Sequence, residues 1–210
     1  QSELLHYPSY DKSDGLQNLI ASHRLAFIVS KGDKTPISDK TNKDEAIRIS
    51  ALLKAFYIIN KNNFNPQTVG IIVPYRNQIA LIRKEIKQLN IPALSDVTID
   101  TVERYQGSER DFIIYGFTVQ KIYQLDFLTG NVFKDNGQII DRKLNVVLTR
   151  ARKQLFLIGN PKILSYNAIF QKLIKFIDNR QGLFDIPTEY FIQGKFSCSS
   201  ADKTSVPDSK

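Results

Sequence analysis

Three short segments of the chain combine residue types that contact nucleotides and nucleic-acid phosphates. The first, residues 73–78, places Tyr75 and Arg76 directly after an apolar run. A tyrosine ring can stack on a base, and a guanidinium can reach a phosphate through two parallel hydrogen bonds. A packed tyrosine beside a solvated arginine would give the same pattern, so this segment alone does not establish a site.

The second segment, residues 101–109, is a polar turn between two apolar runs. Gly107 permits close approach of the backbone to a ligand, and Glu109 can accept hydrogen bonds from ribose hydroxyls. Thr101 can donate a hydrogen bond to a nucleic-acid phosphate. An ordinary solvated turn is the alternative interpretation.

The third segment, residues 141–153, carries five positive charges and no acid after Asp141. Its apolar residues recur at helical spacing, which predicts a helix from about 142 to 153 that packs on a sheet. In such a helix Arg150 and Arg152 flank opposite sides of the apolar stripe. We therefore expect the two arginines to have different roles: one would face a nucleotide phosphate, and the other would contact a neighbouring strand. A merely basic helix is the alternative.

The elements that would position these segments alternate between strands and helices, which is typical of an α/β protein with a parallel sheet. Apolar runs predict strands at residues 25–30, 69–73, 97–101, 111–118 and 154–159. Helical apolar periodicity predicts helices at about residues 41–59, 79–89, 142–153 and 161–179. Ligands of open α/β sheets bind at strand ends, where all three segments fall.

The two ends of the chain differ from this body. Residues 1–24 lack clear periodicity and are interpreted as a connecting arm, and residues 25–180 as the α/β domain. Residues 181–210 form a C-terminal extension with one extended strand within 184–196, and are expected to be mobile after 197. Within the domain, residues 120–140 contain Asn136-Gly137 and favour a hairpin excursion.

Composition limits the classes of function. The chain has 210 residues, 42% of them hydrophobic, and 29 Lys and Arg against 21 Asp and Glu give a net charge of +8 and a pI near 9.5. This balance favours an anionic partner such as nucleic acid. The single cysteine and the lack of Cys/His clusters argue for a cytoplasmic protein without a structural metal, and short apolar runs argue against membrane insertion. Because the chain begins with Gln and contains no Met, we expect it to be a piece of a longer protein.

Taken together, residues 69–78, 101–114 and 142–152 resemble motifs IV, V and VI of superfamily 1 helicases. The branch they resemble contains the nonsense-mediated decay helicase and the eukaryotic replication nuclease-helicase. The most specific strings are Gln-Gly-Ser-Glu at 106–109 and Leu-Asn-Val-Val-Leu-Thr-Arg-Ala-Arg at 144–152. The resemblance covers about residues 25–165.

The resemblance implies a RecA-like second motor domain, with a parallel sheet sandwiched by helices in the P-loop NTPase fold. Such a domain closes over ATP that is bound mainly by a first RecA-like domain. This chain has no phosphate-binding loop of its own and no Asp-Glu pair at a strand end. The ligands of Mg²⁺ are therefore expected on the missing first domain, and the isolated chain is expected to hydrolyse ATP poorly or not at all.

The resemblance also assigns roles to single residues. The adenine and γ-phosphate contacts map to Tyr75 and Arg76, and the γ-phosphate finger of motif VI maps to Arg150. The ribose contact maps to Glu109, in the turn that also holds Gln106 and Gly107 as cofactor-binding candidates.

Thr101 and Arg104 are the candidates that would grip the phosphates of single-stranded DNA or RNA. The resemblance implies movement from 5′ to 3′ along that strand, as in the helicases of this branch. Phosphate contacts leave the choice between DNA and RNA open. Two other hypotheses remain: a clamp that binds nucleic acid or a partner without turnover, and a nucleotide-binding domain of a non-motor enzyme such as a kinase, which leaves the three motifs unexplained.

Overall fold

A computed structural model describes most of the chain, namely Tyr7, Tyr10 and residues 11–33, 38–105, 109–130, 132–135 and 138–193. The main sheet has six strands in these ranges, and a separate hairpin has two. The main strands are β1 Leu25–Val29, β2 Val69–Val73, β3 Thr98–Thr101, β4 Arg110–Gly116, β7 Ala151–Gly159 and β8 Leu183–Phe184; the hairpin strands are β5 Val132–Asp135 and β6 Gln138–Asp141.

The main sheet has the order β3-β2-β4-β7-β1-β8, and every neighbouring pair of strands is parallel. All five residues of β2 are buried, as are the last five of β4. Parallel sheets are covered on both faces, so their strands consist of continuous apolar runs instead of alternating ones. The predicted α/β class with a helix-covered parallel sheet is confirmed.

Helices cover both faces of the sheet. The helices are α1 Gly15–Ser22, α2 Lys43–Ile59, α3 Arg76–Gln88, α4 Leu125–Thr129, α5 Arg142–Arg150, α6 Pro161–Leu164, α7 Ala168–Asp178 and α8 Thr188–Gln193. Helices α1, α2, α3 and α8 share one apolar core with one face of the sheet. Helices α4, α5, α6 and α7 share a second core with the other face. None of the helices in the described ranges is long and apolar enough to cross a membrane.

A buried arginine joins α2 to the C-terminal part of the fold. Arg48 is fully buried, and its Nε lies 2.9 Å from Oδ2 of Asp44 one turn earlier. The rest of its guanidinium donates to the carbonyl of Ile186 at 2.7 Å and to the hydroxyl of Thr188 at 2.9 Å, and lies over the ring of Phe191. These contacts satisfy the buried charge and hold α8 against α2.

The boundary between α5 and β7 differs from the prediction. The predicted helix continues to residue 153, whereas α5 ends at Arg150 and the strand begins at Ala151. The early strand start is explained by β4, because Ala151 pairs with Arg110 and because Asp111 holds the side chains of Arg152 and Lys153. The angular argument that put Arg150 and Arg152 on one helix was therefore wrong.

The predictions for both ends of the chain also need correction. The N-terminal segment contains α1, which the weak periodicity did not reveal; its Asp14 side chain caps Leu16 and Gln17, and it packs on α2. The predicted C-terminal strand is only the two-residue β8, followed by helix α8.

The predicted helix at 161–179 is two helices in the structure, α6 and α7, because the Asn167 side chain caps the start of a second helix. The hairpin is confirmed, although its Asn136-Gly137 turn lies outside the described residues. The proposed domain limits stay predictions.

A close approach between β2 and the turn after β3 depends on Gly70. Tyr105, which follows Thr101 by one helical turn, is 1% exposed and packs its ring on Gly70. A Cβ atom at position 70 would overlap the hydroxyl oxygen of Tyr105 and lie 2.7 Å from its Cζ. Glycine is therefore required here by space, and the turn is fixed to the sheet through this ring.

We predict that Gly70→Ala lowers the free energy of unfolding by about 1–3 kcal/mol, because overpacking forces the ring of Tyr105 and its turn away from β2. Urea denaturation measures this change. Gly130→Ala is the matched control, because its Cβ would approach nothing in the described structure more closely than 3.2 Å. An unfolding free energy that is unchanged in Gly70→Ala would contradict the packing argument.

Candidate functional site

The predicted site residues lie at two opposite edges of the sheet. We call the end where the parallel strands begin the amino edge, and the end where they finish the carboxyl edge. The pair Arg110 and Ala151 marks the amino edge of the two central strands, and the pair Val73 and Thr101 marks the carboxyl edge of β2 and β3.

At the amino edge the structure brings Glu109 and Arg150 together. Glu109 directly precedes β4, Arg150 directly precedes β7, and these two strands are neighbours whose first residues pair. The side chain of Glu109 is exposed. Its backbone carbonyl accepts hydrogen bonds from Arg110 at 2.9 Å and Arg152 at 3.4 Å, which anchors the end of the turn to the sheet.

The positive charges at the amino edge differ in their partners. Arg152 and Lys153 both contact the carboxylate of Asp111, at 3.3 and 2.9 Å. Arg150 is half-buried, and its guanidinium donates to the carbonyl of Val146 at 3.3 Å and the hydroxyl of Thr149 at 3.4 Å. No acidic partner of Arg150 occurs among the described residues. Arg152 thus braces the neighbouring strand, while the charge of Arg150 stays available for an anion.

Two cofactor-binding candidates, Gln106 and Gly107, lie outside the described residues, so the structure does not locate them. The described chain leaves the carboxyl edge after Thr101 and enters the sheet again at the amino edge with Arg110.

The carboxyl edge holds Thr101, Arg104, Tyr75 and Arg76. Arg76 is the exposed first residue of α3, and Arg104 is exposed in the turn after β3. Thr101 is only 7% exposed, so little of the residue is open to solvent. These residues are brought together because β2 and β3 are neighbouring strands.

The ring of Tyr75 does not have a free face toward solvent. Tyr75 is 9% exposed and stacks on Phe127, with ring centroids 4.9 Å apart and an angle of 21° between the rings. Lys143 lies 4.0 Å from the centroid of the Phe127 ring. Burial raises the pKa of Tyr75. An adenine can reach this face of Tyr75 only if Phe127 moves away.

The two edges are too far apart for all the predicted nucleotide contacts to converge here. Arg110 and Gly116 are six residues apart along β4, which corresponds to about 20 Å at ~3.3 Å per residue. Because Ile72 pairs with Tyr115, Arg76 lies beyond the Gly116 end and Arg150 beyond the Arg110 end. The structure therefore does not bring the two proposed fingers together on this domain.

Sequence reasoning missed a buried carboxyl group that joins the ends of several elements at the carboxyl edge. Glu45 in the first turn of α2 is fully buried. Its Oε2 accepts from the backbone N–H of Thr118 at 2.8 Å, and its Oε1 lies 3.3 Å from both the Ser30 hydroxyl and the Asn42 side-chain amide. The residue just after β1, the start of α2 and the segment after β4 thereby meet at one side chain.

The environment of Glu45 favours its neutral form. Desolvation by burial is the largest cause that raises the pKa of Glu45 from 4.5 to about 8, and the neighbouring charge of Asp44 adds to it. The Thr118 and Ser30 hydrogen bonds and the charge of Arg48 oppose the rise without cancelling it. The Asn-x-x-Glu spacing at 42–45, which is typical of a capping box, was the signal in the sequence.

The fold and the motif strings at its strand ends define a RecA-like α/β domain of the superfamily 1 helicase type. The chain belongs to the AAA_12 family (AAA domain), whose model matches residues 9–162. The resemblance to superfamily 1 helicases is thereby confirmed.

Individual relatives agree with this family. The chain is 33% identical over 147 residues to the "DNA replication ATP-dependent helicase/nuclease DNA2" of Xenopus tropicalis, which covers 70% of this chain and 13% of that protein. It is 33% identical over 124 residues to "Regulator of nonsense transcripts 1" of Dictyostelium discoideum, covering 57% of this chain and 9% of that protein. The chain therefore spans a small part of the length of these relatives.

A solved structure also resembles the chain. It is the C-terminal domain of a possible DNA helicase from Lactobacillus plantarum WCFS1, with 14% sequence identity and a TM-score of 0.39. The match covers 78% of this chain and 96% of that one.

We predict that Glu45→Gln removes much of the dependence of stability on pH. Between about pH 4.5 and 8 the folded chain keeps a proton on Glu45 that the unfolded chain has lost, so the free energy of unfolding falls as the pH rises through this range. Glutamine carries no titratable group and keeps one acceptor oxygen for the Thr118 N–H, while its amide nitrogen can only donate. At pH 8.5 we expect Glu45→Gln to be more stable than the wild type by about 1–3 kcal/mol.

Urea denaturation across this pH range measures the effect, with Glu189→Gln as a control because Glu189 is exposed on α8. If Glu45→Gln shows the same dependence on pH as the wild type, the carboxyl group is not neutral in the folded chain.

Proposed function

We propose that the chain is the second motor domain of an ATP-dependent superfamily 1 helicase and that Arg150 is its γ-phosphate finger. The observation that carries this proposal is the position of Arg150, a cation without an acidic partner among the described residues, beside the exposed Glu109 at the amino edge. It is supported by the family and by a relative whose name includes an ATP-dependent helicase.

In this proposal the chain supplies part of an ATP site. Arg150 would meet the γ-phosphate and Glu109 the ribose, with Gln106 and Gly107 in the turn beside the nucleotide. The proposal assigns the phosphate loop, and Mg²⁺ with it, to the first motor domain, because the sequence of this chain has no phosphate-binding loop motif. Charge that develops on a transferred phosphoryl group is stabilised by a positioned guanidinium. Because the finger and the phosphate loop lie on different domains, hydrolysis would require domain closure.

The carboxyl edge would face the polymer. Arg104 and Arg76 are exposed there beside Thr101, and we propose that they contact the phosphates of single-stranded DNA or RNA. The separation of the edges favours this assignment of Arg76 over a role as a second finger, and the stack with Phe127 argues against adenine binding by Tyr75 without rearrangement. Movement from 5′ to 3′ belongs to the same proposal and rests on the resemblance to the branch.

We predict that Arg150→Ala, in a longer protein that includes the first motor domain, lowers the nucleic-acid-stimulated kcat for ATP about 10³-fold or more, because the finger acts mainly in the transition state. Binding of single-stranded nucleic acid should stay within about twofold of the wild type, because Arg150 lies at the amino edge and the proposed strand contacts lie at the carboxyl edge. ATPase rates with and without DNA and RNA measure the first effect, and fluorescence anisotropy the second.

Arg83→Ala is the matched control, because Arg83 is an exposed helical arginine on α3 and lies on the other face of the sheet. A full ATPase rate in Arg150→Ala would show that Arg150 is not the finger. No turnover in the longer wild-type protein, together with strand binding, would instead favour a clamp that does not hydrolyse ATP.

A further inference from the structure

A basic surface with exposed aromatic rings lies on α6, on the linker from α6 to α7, on α7 and just beyond α7, away from the residues discussed above. We call it the α6–α7 surface. It consists of Lys162, Tyr166, Lys172, Lys175, Phe176 and Arg180.

The exposure of this surface is set by the helix itself. Phe170, Ile174 and Ile177 on the opposite side of α7 are buried in the core beneath the sheet. At 100° per residue, Lys172, Lys175 and Phe176 fall within an arc of about 100° on the outer side. Rotation of α7 cannot cover these residues without exposing its apolar stripe, so the surface is a fixed feature of the fold.

The cations of the α6–α7 surface are not neutralised. Within the described ranges, no carboxylate forms an ion pair with any of its three lysines or with Arg180. The one acid on α7, Asp178, lies to one side of the arc. This concentration of unpaired positive charge is complementary to a polyanion.

Two exposed aromatic rings lie among the positively charged side chains of this surface. Tyr166 is 71% exposed and Phe176 is 46% exposed. The guanidinium carbon of Arg180 lies 3.7 Å from the centroid of the Phe176 ring, which fixes a cation over an exposed ring. Single-stranded nucleic acids bind to surfaces that combine cations for the phosphates with rings on which bases stack.

The position of the α6–α7 surface suits a strand that also crosses the carboxyl edge. Helix α6 begins two residues after β7 ends, and β7 lies three strand spacings from β3. At ~4.8 Å per spacing, the end of β3 and the end of β7 are about 14 Å apart. Between them, Tyr123 and Phe127 are exposed after β4 at the same edge. Beyond β7 the chain turns back along the sheet through α7.

We propose that the α6–α7 surface binds a second stretch of single-stranded nucleic acid, continuous with the stretch at the carboxyl edge. This inference rests on the proposed function, because it assumes that a strand lies at Thr101 and Arg104. It adds that a long strand gains contacts with Lys172, Lys175 and Phe176 that a short strand does not reach.

The test compares binding of oligothymidine of about 6 and about 20 nucleotides. The short strand is near the lower end of the usual length of a single-strand binding site, and the long strand exceeds its upper end. Fluorescence anisotropy is measured on the 210-residue chain and on Lys172→Glu/Lys175→Glu. The matched control is Lys84→Glu/Lys87→Glu, which reverses two exposed lysines at the same spacing on α3, on the other face of the sheet.

We expect the α7 double variant to weaken binding of the long strand about tenfold or more and of the short strand less than about threefold, whereas the α3 control changes both by the same small factor. Lys172→Gln/Lys175→Gln should reduce the slope of log affinity against log salt by about 0.7 per lost phosphate contact. Phe176→Ala should weaken long-strand binding with little change in that slope, because stacking does not release counterions.

Equal losses in the α7 and α3 double variants would overturn the inference, and so would equal losses for long and short strands. Binding of an acidic peptide that the α7 variant abolishes, with long-strand binding intact, would assign the surface to a protein partner and also overturn it. If the wild-type chain binds neither strand, the proposed strand contact at the carboxyl edge fails together with this inference, whereas the finger role of Arg150 is judged by the ATPase test. If the wild type binds both strands and the α7 variant does so equally well, only this inference fails.

Discussion

The pairing of β4 with β2 on one side and β7 on the other is the constraint on which the rest of the structure depends. Its hydrogen bonds run from Arg110 at the amino edge to Gly116 at the carboxyl edge. This pairing fixes Glu109 beside Arg150 at one end and the Glu45 contact with Thr118 at the other. The register also explains why α5 ends where it does, because β4 draws residue 151 into the sheet. The separation of the two groups of candidate residues is therefore a property of the sheet and not of flexible loops.

Beneath the exposed residues of the carboxyl edge lies a polar cluster around Glu45 that is almost completely buried. The hydrogen bonds of Glu45 join three segments, but they require a carboxyl group to be buried away from solvent. Burial favours the neutral form of this carboxyl group over the charged form. The backbone N–H of Asn42 donates to the side-chain oxygen of Gln78, and the side-chain amide of Gln78 donates to the backbone carbonyl of Asn42, both at 2.8 Å. Gln78 belongs to α3, so this polar cluster also orients the helix that begins with Arg76.

Local patterns predicted the elements whose residues are apolar and buried, and tertiary contacts decided the others. Strand β2 has the predicted bounds because a short apolar run that ends at Pro74 permits few alternatives. The boundary at Arg150 was not predictable from periodicity, since residues 151–153 become a strand only through contacts with β4. Helix α1 has only eight residues, so the helical spacing of Leu16, Leu19 and Ile20 was too short a pattern to predict it. The motifs in the sequence located the candidate residues. The placement of Arg76 and Arg150 at opposite edges depends on strand register, which the motifs do not contain. The stacking of the Tyr75 ring on Phe127 depends on a residue that is far away in the sequence.

The buried guanidinium of Arg48 also has a consequence for how the chain folds during synthesis. Its acceptor at Ile186 is 138 residues later in the sequence, and its acceptor at Thr188 is 140 residues later. Until these residues leave the ribosome, Asp44 is the only one of the three native side-chain and backbone acceptors that is present, and burial of the remaining donors away from water would be unfavourable. A contact of such long sequence separation forms late, since the loop it closes includes most of the sheet. Helix α2 can therefore reach its final environment only after nearly the whole domain has been translated, so a ribosome-bound chain that stops before Ile186 would hold the sheet beside an incompletely docked helix.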